Sequence, residues 1–146
     1  MTEQTFAAIR SFLANRAMDT GYAVRFADAT CRCGSAVFRV AVNEDVGAAW
    51  LYCTACDTSY SLHDVNARGT SAGSAEDSAE ECVCTCDADE FAVVAGVTLY
   101  GQSDTARTAY IGCHCVACGR IACYASWPRV DDPHAAFFTT MTVPRA

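Results

Sequence analysis

Lysine is missing from this chain. All ten basic residues are arginine, so no mechanism built on a lysine nucleophile or Schiff base is open to it. Proline is scarce, with three residues, all of them from Pro128 onward. No apolar run approaches the ~18 residues that span a bilayer, so no membrane segment is expected. The start, Met1-Thr2-Glu3-Gln4-Thr5, lacks the basic and apolar regions of a secretory signal, and a cytoplasmic location is expected. The metalloprotease H-E-x-x-H, the glycine-rich phosphate loop and the G-x-S-x-G elbow do not occur. Nor does the H-x-E of zinc deaminases. No Ser-His-Asp order is legible, and the reading leans against an enzyme.

Cysteine is what the chain has in excess, with eleven residues among 146. An odd count without an export signal argues for metal binding over a disulfide scaffold. Ten basic residues face seventeen acidic ones, for a formal net charge of −7. That figure takes the thiols as neutral. A zinc ion held by four thiolates carries about −2, so two such sites bring the total to about −11. Such a chain repels phosphate backbones, which sets nucleic acid below a protein as the expected partner.

The cysteines reveal an internal repeat. The first copy runs Cys31-x-Cys33, Phe38, Cys53-x2-Cys56, Tyr60. The second runs Cys84-x-Cys86, Phe91, Cys115-x2-Cys118, Tyr124. In both, the Phe follows the second cysteine by five residues. Two cysteines this close on a tight turn can put both sulfurs on one ion. Two such turns complete a tetrahedral four-sulfur shell, which zinc accepts because its d-electrons impose no geometry. The expected ligands are Cys31, Cys33, Cys53 and Cys56 for one zinc, and Cys84, Cys86, Cys115 and Cys118 for a second. The intervening 19 and 28 residues suit a strand out and back.

This pattern resembles tandem zinc-ribbon proteins over about residues 22–127, with CxC in place of the usual first CxxC. The resemblance implies a small, metal-stabilised all-β fold of two tandem zinc ribbons, each built on antiparallel hairpins. Such ribbons occur in transcription factors, ribosomal proteins, enzyme appendages and protein-interaction modules. The function that fits is a non-catalytic zinc-binding adaptor or regulator with a protein partner. The alternatives are a nucleic-acid-associated transcription or translation accessory, and a thiolate-based metal or redox protein.

The chain divides as an N-terminal helix (1–20), a first ribbon (21–65), an acidic flexible linker (66–81), a second ribbon (82–129) and a tail (130–146). Phe6, Ile9, Phe12, Leu13 and Ala17 recur at helical spacing, which predicts an amphipathic helix over 3–18 packed on the first ribbon. Strands are expected from Tyr22 to Phe26, Ala36 to Val42, Ala49 to Tyr52, Phe91 to Tyr100, Thr108 to Cys113 and Arg120 to Trp127. The linker is expected to let one ribbon survive loss of the other. Its acidic run reads as solvated surface, or else as a contact for a basic partner.

Three cysteines stand outside the ligand sets. Cys82 and Cys113 align with Ala29 and Leu51 of the first copy, which favours packing as small hydrophobes. With Cys123, they also admit a larger thiolate cluster, Cu(I), redox chemistry or a disulfide. His114 is read as pointing out of its turn, and His63 and His134 as solvated or capping groups. The aromatic residues Trp50, Tyr52, Tyr60, Tyr110, Tyr124 and Trp127 are read as small cores flanking the metals, or else as a surface for a peptide or bases.

Overall fold

The computed structural model describes residues 3–18, 22–45, 47–63, 77–101 and 103–128. The tail from residue 129 and residues 66–76 of the expected linker lie outside them. Among the described residues, one helix, α1 (Glu3–Met18), precedes eight strands. These are β1 (Val24–Asp28), β2 (Phe38–Asn43), β3 (Ala48–Cys53), β4 (Ser59–His63), β5 (Glu80–Glu81), β6 (Phe91–Leu99), β7 (Ala106–Cys115) and β8 (Ile121–Pro128). Among the described residues, no helix is long and apolar enough to cross a membrane.

The fold is mostly antiparallel sheet with a single N-terminal helix, as the repeat implied. The strands join in the order β4-β3-β2-β6-β7-β8, with β1 laid along β6 and β5 along β2. The two copies superimpose register on register. Phe38 pairs with Cys53 on β2 and β3, and Phe91 pairs with Cys115 on β6 and β7. The copies meet where Phe38 pairs with Phe91. Two equivalent residues pairing with each other place a pseudo-two-fold axis at that point.

The strand that leads into each CxC turn belongs to the other copy's sheet. β1, which leads to Cys31, pairs with β6 from Val24↔Thr98 to Asp28↔Val94. The Ala29 N–H then donates to the Val93 carbonyl at 2.9 Å. β5, which leads to Cys84, pairs with β2 at Glu80↔Val42 and Glu81↔Ala41. The Cys82 N–H donates to the Val40 carbonyl at 2.8 Å. The exchange is reciprocal, residue for residue. It makes the end of the acidic stretch a strand and ties together what its composition suggested would be separate.

One apolar cluster crosses the axis. It takes Phe38, Val40, Leu51, Tyr60 and Leu62 from the first copy and Phe91, Val93, Val97, Ile111 and Cys113 from the second. β6 is buried along its whole length. Its odd positions face this core, while Ala92 and Val94 face α1.

The helix lies on the second copy, not on the first as expected. Phe6, Ile9, Leu13 and Ala17 are buried against Ala92, Val94 and Tyr110. The cause is one position in each repeat. Three residues before the CxxC, the first copy has Trp50 and the second Gly112. Trp50 fills its own face over Ala41 and Ala48. A Cβ on Gly112 would stand 2.8 Å from Ile9 Cγ2 and 3.0 Å from Leu13 Cγ. The glycine is a recess, and the helix is seated in it. β1 follows the helix and runs along β6, which carries the helix to that side.

Gly112→Ala should therefore displace α1 and destabilise the fold by about 1–3 kcal/mol, the usual scale of overpacking. A chemical denaturation midpoint equal to wild type would contradict this seat. The reciprocal strands make a second prediction. Cys56→Ala removes a first-copy ligand, and amide hydrogen exchange should accelerate in β6 and β7 as well as in β2 and β3. Wild-type protection across β6 and β7 would show the copies to be independent.

Candidate metal centres

Each cysteine pair sits on a turn closed by the same hydrogen bonds. In the CxC turns, the Gly34 N–H donates to the Cys31 carbonyl at 2.9 Å and the Asp87 N–H to the Cys84 carbonyl at 2.8 Å. In the CxxC turns, the Asp57 N–H reaches the Cys53 carbonyl at 3.0 Å and the Gly119 N–H the Cys115 carbonyl at 2.9 Å. The residue after each second cysteine is left-handed: Gly34 at φ 93°, Asp57 at 62°, Asp87 at 73° and Gly119 at 80°. Glycine adopts this conformation freely, and aspartate tolerates it better than most residues. The shorter CxC spacing closes with a three-residue step and CxxC with a four-residue step, so both deliver two sulfurs to one side.

The turns bring all eight expected ligands into two groups. The ligand atoms of Cys31, Cys33, Cys53 and Cys56 lie within 4.8 Å of one another, and so do those of Cys84, Cys86, Cys115 and Cys118. Two sulfur pairs in each group bridge its two turns. Cys31–Cys56 are 3.4 Å apart and Cys33–Cys53 3.6 Å. Cys84–Cys118 are 3.5 Å and Cys86–Cys115 3.6 Å. These distances are far beyond the ~2.05 Å of a disulfide. They approach the edge of about 3.8 Å in a tetrahedron with ~2.3 Å metal–sulfur bonds. The donor set fits a soft, four-coordinate cation.

Ionisation in the groups is uneven. Burial opposes the Cys31 thiolate, but the Cys33 N–H, the Tyr60 hydroxyl and the neighbouring thiols outweigh it and bring its pKa to about 6. Cys84 falls to about 6 chiefly through the Cys86 N–H. Cys33 is favoured as thiolate by the Ser35 N–H, yet Cys31, burial, Cys56 and Cys53 push it to about 12. Cys86 is favoured as thiolate by the Ala88 N–H, yet burial and its three neighbours push it to about 12. Cys56 falls too, chiefly through the Thr58 hydroxyl, so the first group forms two thiolates readily and the second one, and each resists the next. A bound cation would remove that resistance. One half of each group is open to solvent: Cys31, Cys53, Cys84 and Cys115 are buried, and Cys33, Cys56, Cys86 and Cys118 exposed.

Sequence reasoning missed two groups that touch sulfur. The Tyr60 hydroxyl donates to Cys31 Sγ at 3.3 Å and itself accepts from the Arg32 N–H at 2.9 Å. The Thr58 hydroxyl lies 3.0 Å from Cys56 Sγ. Tyr60 was visible as a repeat marker, but β4 was not expected, and only β4 aims its hydroxyl inward. Of the aromatics expected to flank the groups, Tyr60 lies edge-on to Phe38 at 6.1 Å and Tyr124 tilts on Phe91 at 5.2 Å, whereas Trp50 and Tyr52 pack with Ala41 and Ala48 on the outer face and Tyr110 packs under α1.

Among the described residues, the remaining cysteines and histidines fall outside both groups. Cys113 is fully buried and Cys82 nearly so, while Cys123 is half-buried and donates to the Ala125 carbonyl at 3.2 Å. Burial raises all three thiols, Cys82 to about 12. They stay protonated and pack. His114 Nδ1 is buried with no hydrogen-bond partner among the described residues. His63 ends β4, and His134 lies outside the described residues.

Cys113→Ala should cost roughly 1–2 kcal/mol, the scale of a small buried truncation, and should leave the metal content unchanged. Loss of metal from this variant would show a larger thiolate cluster. The chain matches no family model, no curated protein and no solved structure.

Proposed function

We propose that this chain is a non-catalytic adaptor that holds two zinc ions as structural centres and presents the resulting scaffold to a protein partner. The observation that carries the reading is the four-sulfur geometry, with pairs at 3.4–3.6 Å in both groups. Four thiolates complete a tetrahedron, whereas a catalytic zinc keeps a position for water. Zinc suits the site because the backbone turns set the sulfur positions and the ion adapts to them. Structural zinc of this kind supplies on the order of 10 kcal/mol to folding, comparable to the whole stability of a typical domain. A loaded charge of about −11 favours a protein surface over a phosphate backbone as the partner.

Elemental analysis of protein purified without added metal should give two zinc ions per chain. Iron with a visible charge-transfer colour, or three or more ions, would sink the zinc assignment. A tagged chain captured from its native cell should retain a partner that the Cys31→Ala, Cys84→Ala double variant loses. A salt-sensitive shift of nucleic acid in place of a protein would favour the accessory-factor reading.

A further inference from the structure

Each four-cysteine group needs its two turns held face to face, and each copy carries a side-chain tie between them, made from different residues. In the first copy the tie is Tyr60. Its backbone lies opposite Leu51, on the strand that enters the CxxC turn. Its hydroxyl crosses to the CxC turn, where it donates to Cys31 Sγ at 3.3 Å and accepts from the Arg32 N–H at 2.9 Å. In the second copy the residue four places after the CxxC is Ala122, opposite Cys113, and a methyl group has no donor to offer.

Arg120 supplies the second tie. Its carbonyl accepts from the Cys115 N–H at 2.8 Å, which fixes its backbone to the CxxC turn. Its guanidinium crosses to the CxC turn and donates to Thr85 Oγ1 at 2.9 Å. Both ties end on the residue between the two cysteines of the CxC turn, Arg32 in one copy and Thr85 in the other. The residue types are exchanged between the copies: Arg32 and Thr58 stand where Thr85 and Arg120 stand in the second. Thr58 holds the same place as Arg120, since the Cys53 N–H donates to its carbonyl at 2.9 Å. Its hydroxyl stays within its own turn, 3.0 Å from Cys56 Sγ, and the crossing falls to Tyr60.

We propose that Tyr60 and Arg120 are equivalent positioning residues, each clasping the two cysteine turns of its own group so that a metal ion meets sulfurs already gathered. This rests on the two-metal reading. Neither residue is a ligand. Arg120 acts through Thr85, and Tyr60 through Cys31 and the Arg32 N–H. A hydrogen bond between the turns forms without the ion, so it removes part of the ordering cost from the binding step.

The test is zinc occupancy read separately for each group. The full-length chain is equilibrated across a series of zinc-buffered solutions and pulsed with iodoacetamide, and mass spectrometry maps the unprotected cysteines. Exposed Cys33 and Cys56 report the first group, and exposed Cys86 and Cys118 the second. Arg120→Met should raise the free zinc that half-fills the second group about three- to tenfold, the scale of one lost hydrogen bond, and shift the first group by less. Thr85→Val should do the same, and the double variant no more than either, because both remove one bond. Thr85→Ser keeps the hydroxyl and should match the wild type. Tyr60→Phe should weaken the first group more than the second. Wild-type occupancy in Arg120→Met or Tyr60→Phe, additive effects of Arg120→Met and Thr85→Val, a Thr85→Ser shift as large as that of Thr85→Val, or equal shifts in both groups would overturn the proposal. A wild-type chain that protects fewer than two groups at saturating zinc would instead overturn the two-metal reading beneath it.

Discussion

Four thiols brought within 4.8 Å of one another tolerate that crowding as thiolates only around a cation, and the rest of the architecture depends on this constraint. Neither copy contains a core large enough to fold around by itself. Each has three strands of hairpin and one flanking aromatic pair. What closes a copy is a pair of turns, and what holds the turns together is the charge between them. The hydrogen-bonded turn geometry fixes sulfur positions before any metal arrives. The left-handed residues Gly34, Asp57, Asp87 and Gly119 are thus as much a part of the site as the cysteines.

The exchanged lead-in strands change what a metal in either group would cross-link. In the first group, Cys31 and Cys33 arrive on a segment anchored along β6, while Cys53 and Cys56 belong to the first copy's own hairpin. In the second group the anchoring is reversed, through β5 on β2. An ion bound in either group would therefore staple one copy to the other as well as close its own ribbon. Site and sheet stabilise each other. The apolar cluster that crosses the axis, with Phe38 and Phe91 at its centre, is the packing counterpart of the same exchange.

The ligands were legible because the turn chemistry is local: two cysteines one or two residues apart, followed by Gly or Asp, need no tertiary context. The strands were legible in part. β6 and β7 are long and rich in β-branched and aromatic residues, whereas β4 holds Ser59, Ser61 and His63 around a single Tyr-Leu pair, and β5 is two glutamates. Those two strands exist because a neighbour's unpaired edge accepts them, which no local propensity reveals. The helix was legible as a helix but not as to its seat. That depended on comparing Trp50 with Gly112 as the same position of the repeat. Gly112 has the look of a strand-breaker in sequence, yet it sits mid-strand in β7, where the helix needs room.

Duplication gave the chain two equal frames, and its individuality lies in the positions where they no longer match. Trp50 against Gly112 decides which outer face fills itself and which receives the helix. Leu51 against Cys113, and Ala29 against Cys82, replace hydrocarbon with thiol in a core that otherwise keeps its pattern. Thr58 against Arg120, with Tyr60 against Ala122, takes the hydroxyls away from one set of sulfurs and leaves them on the other. The first group of changes is about packing, and the last is about which side chains meet the sulfurs. The backbone hydrogen bonds of the turns match to within 0.1 Å across the repeat, so the difference lies in the side chains around the sulfurs and not in the scaffold.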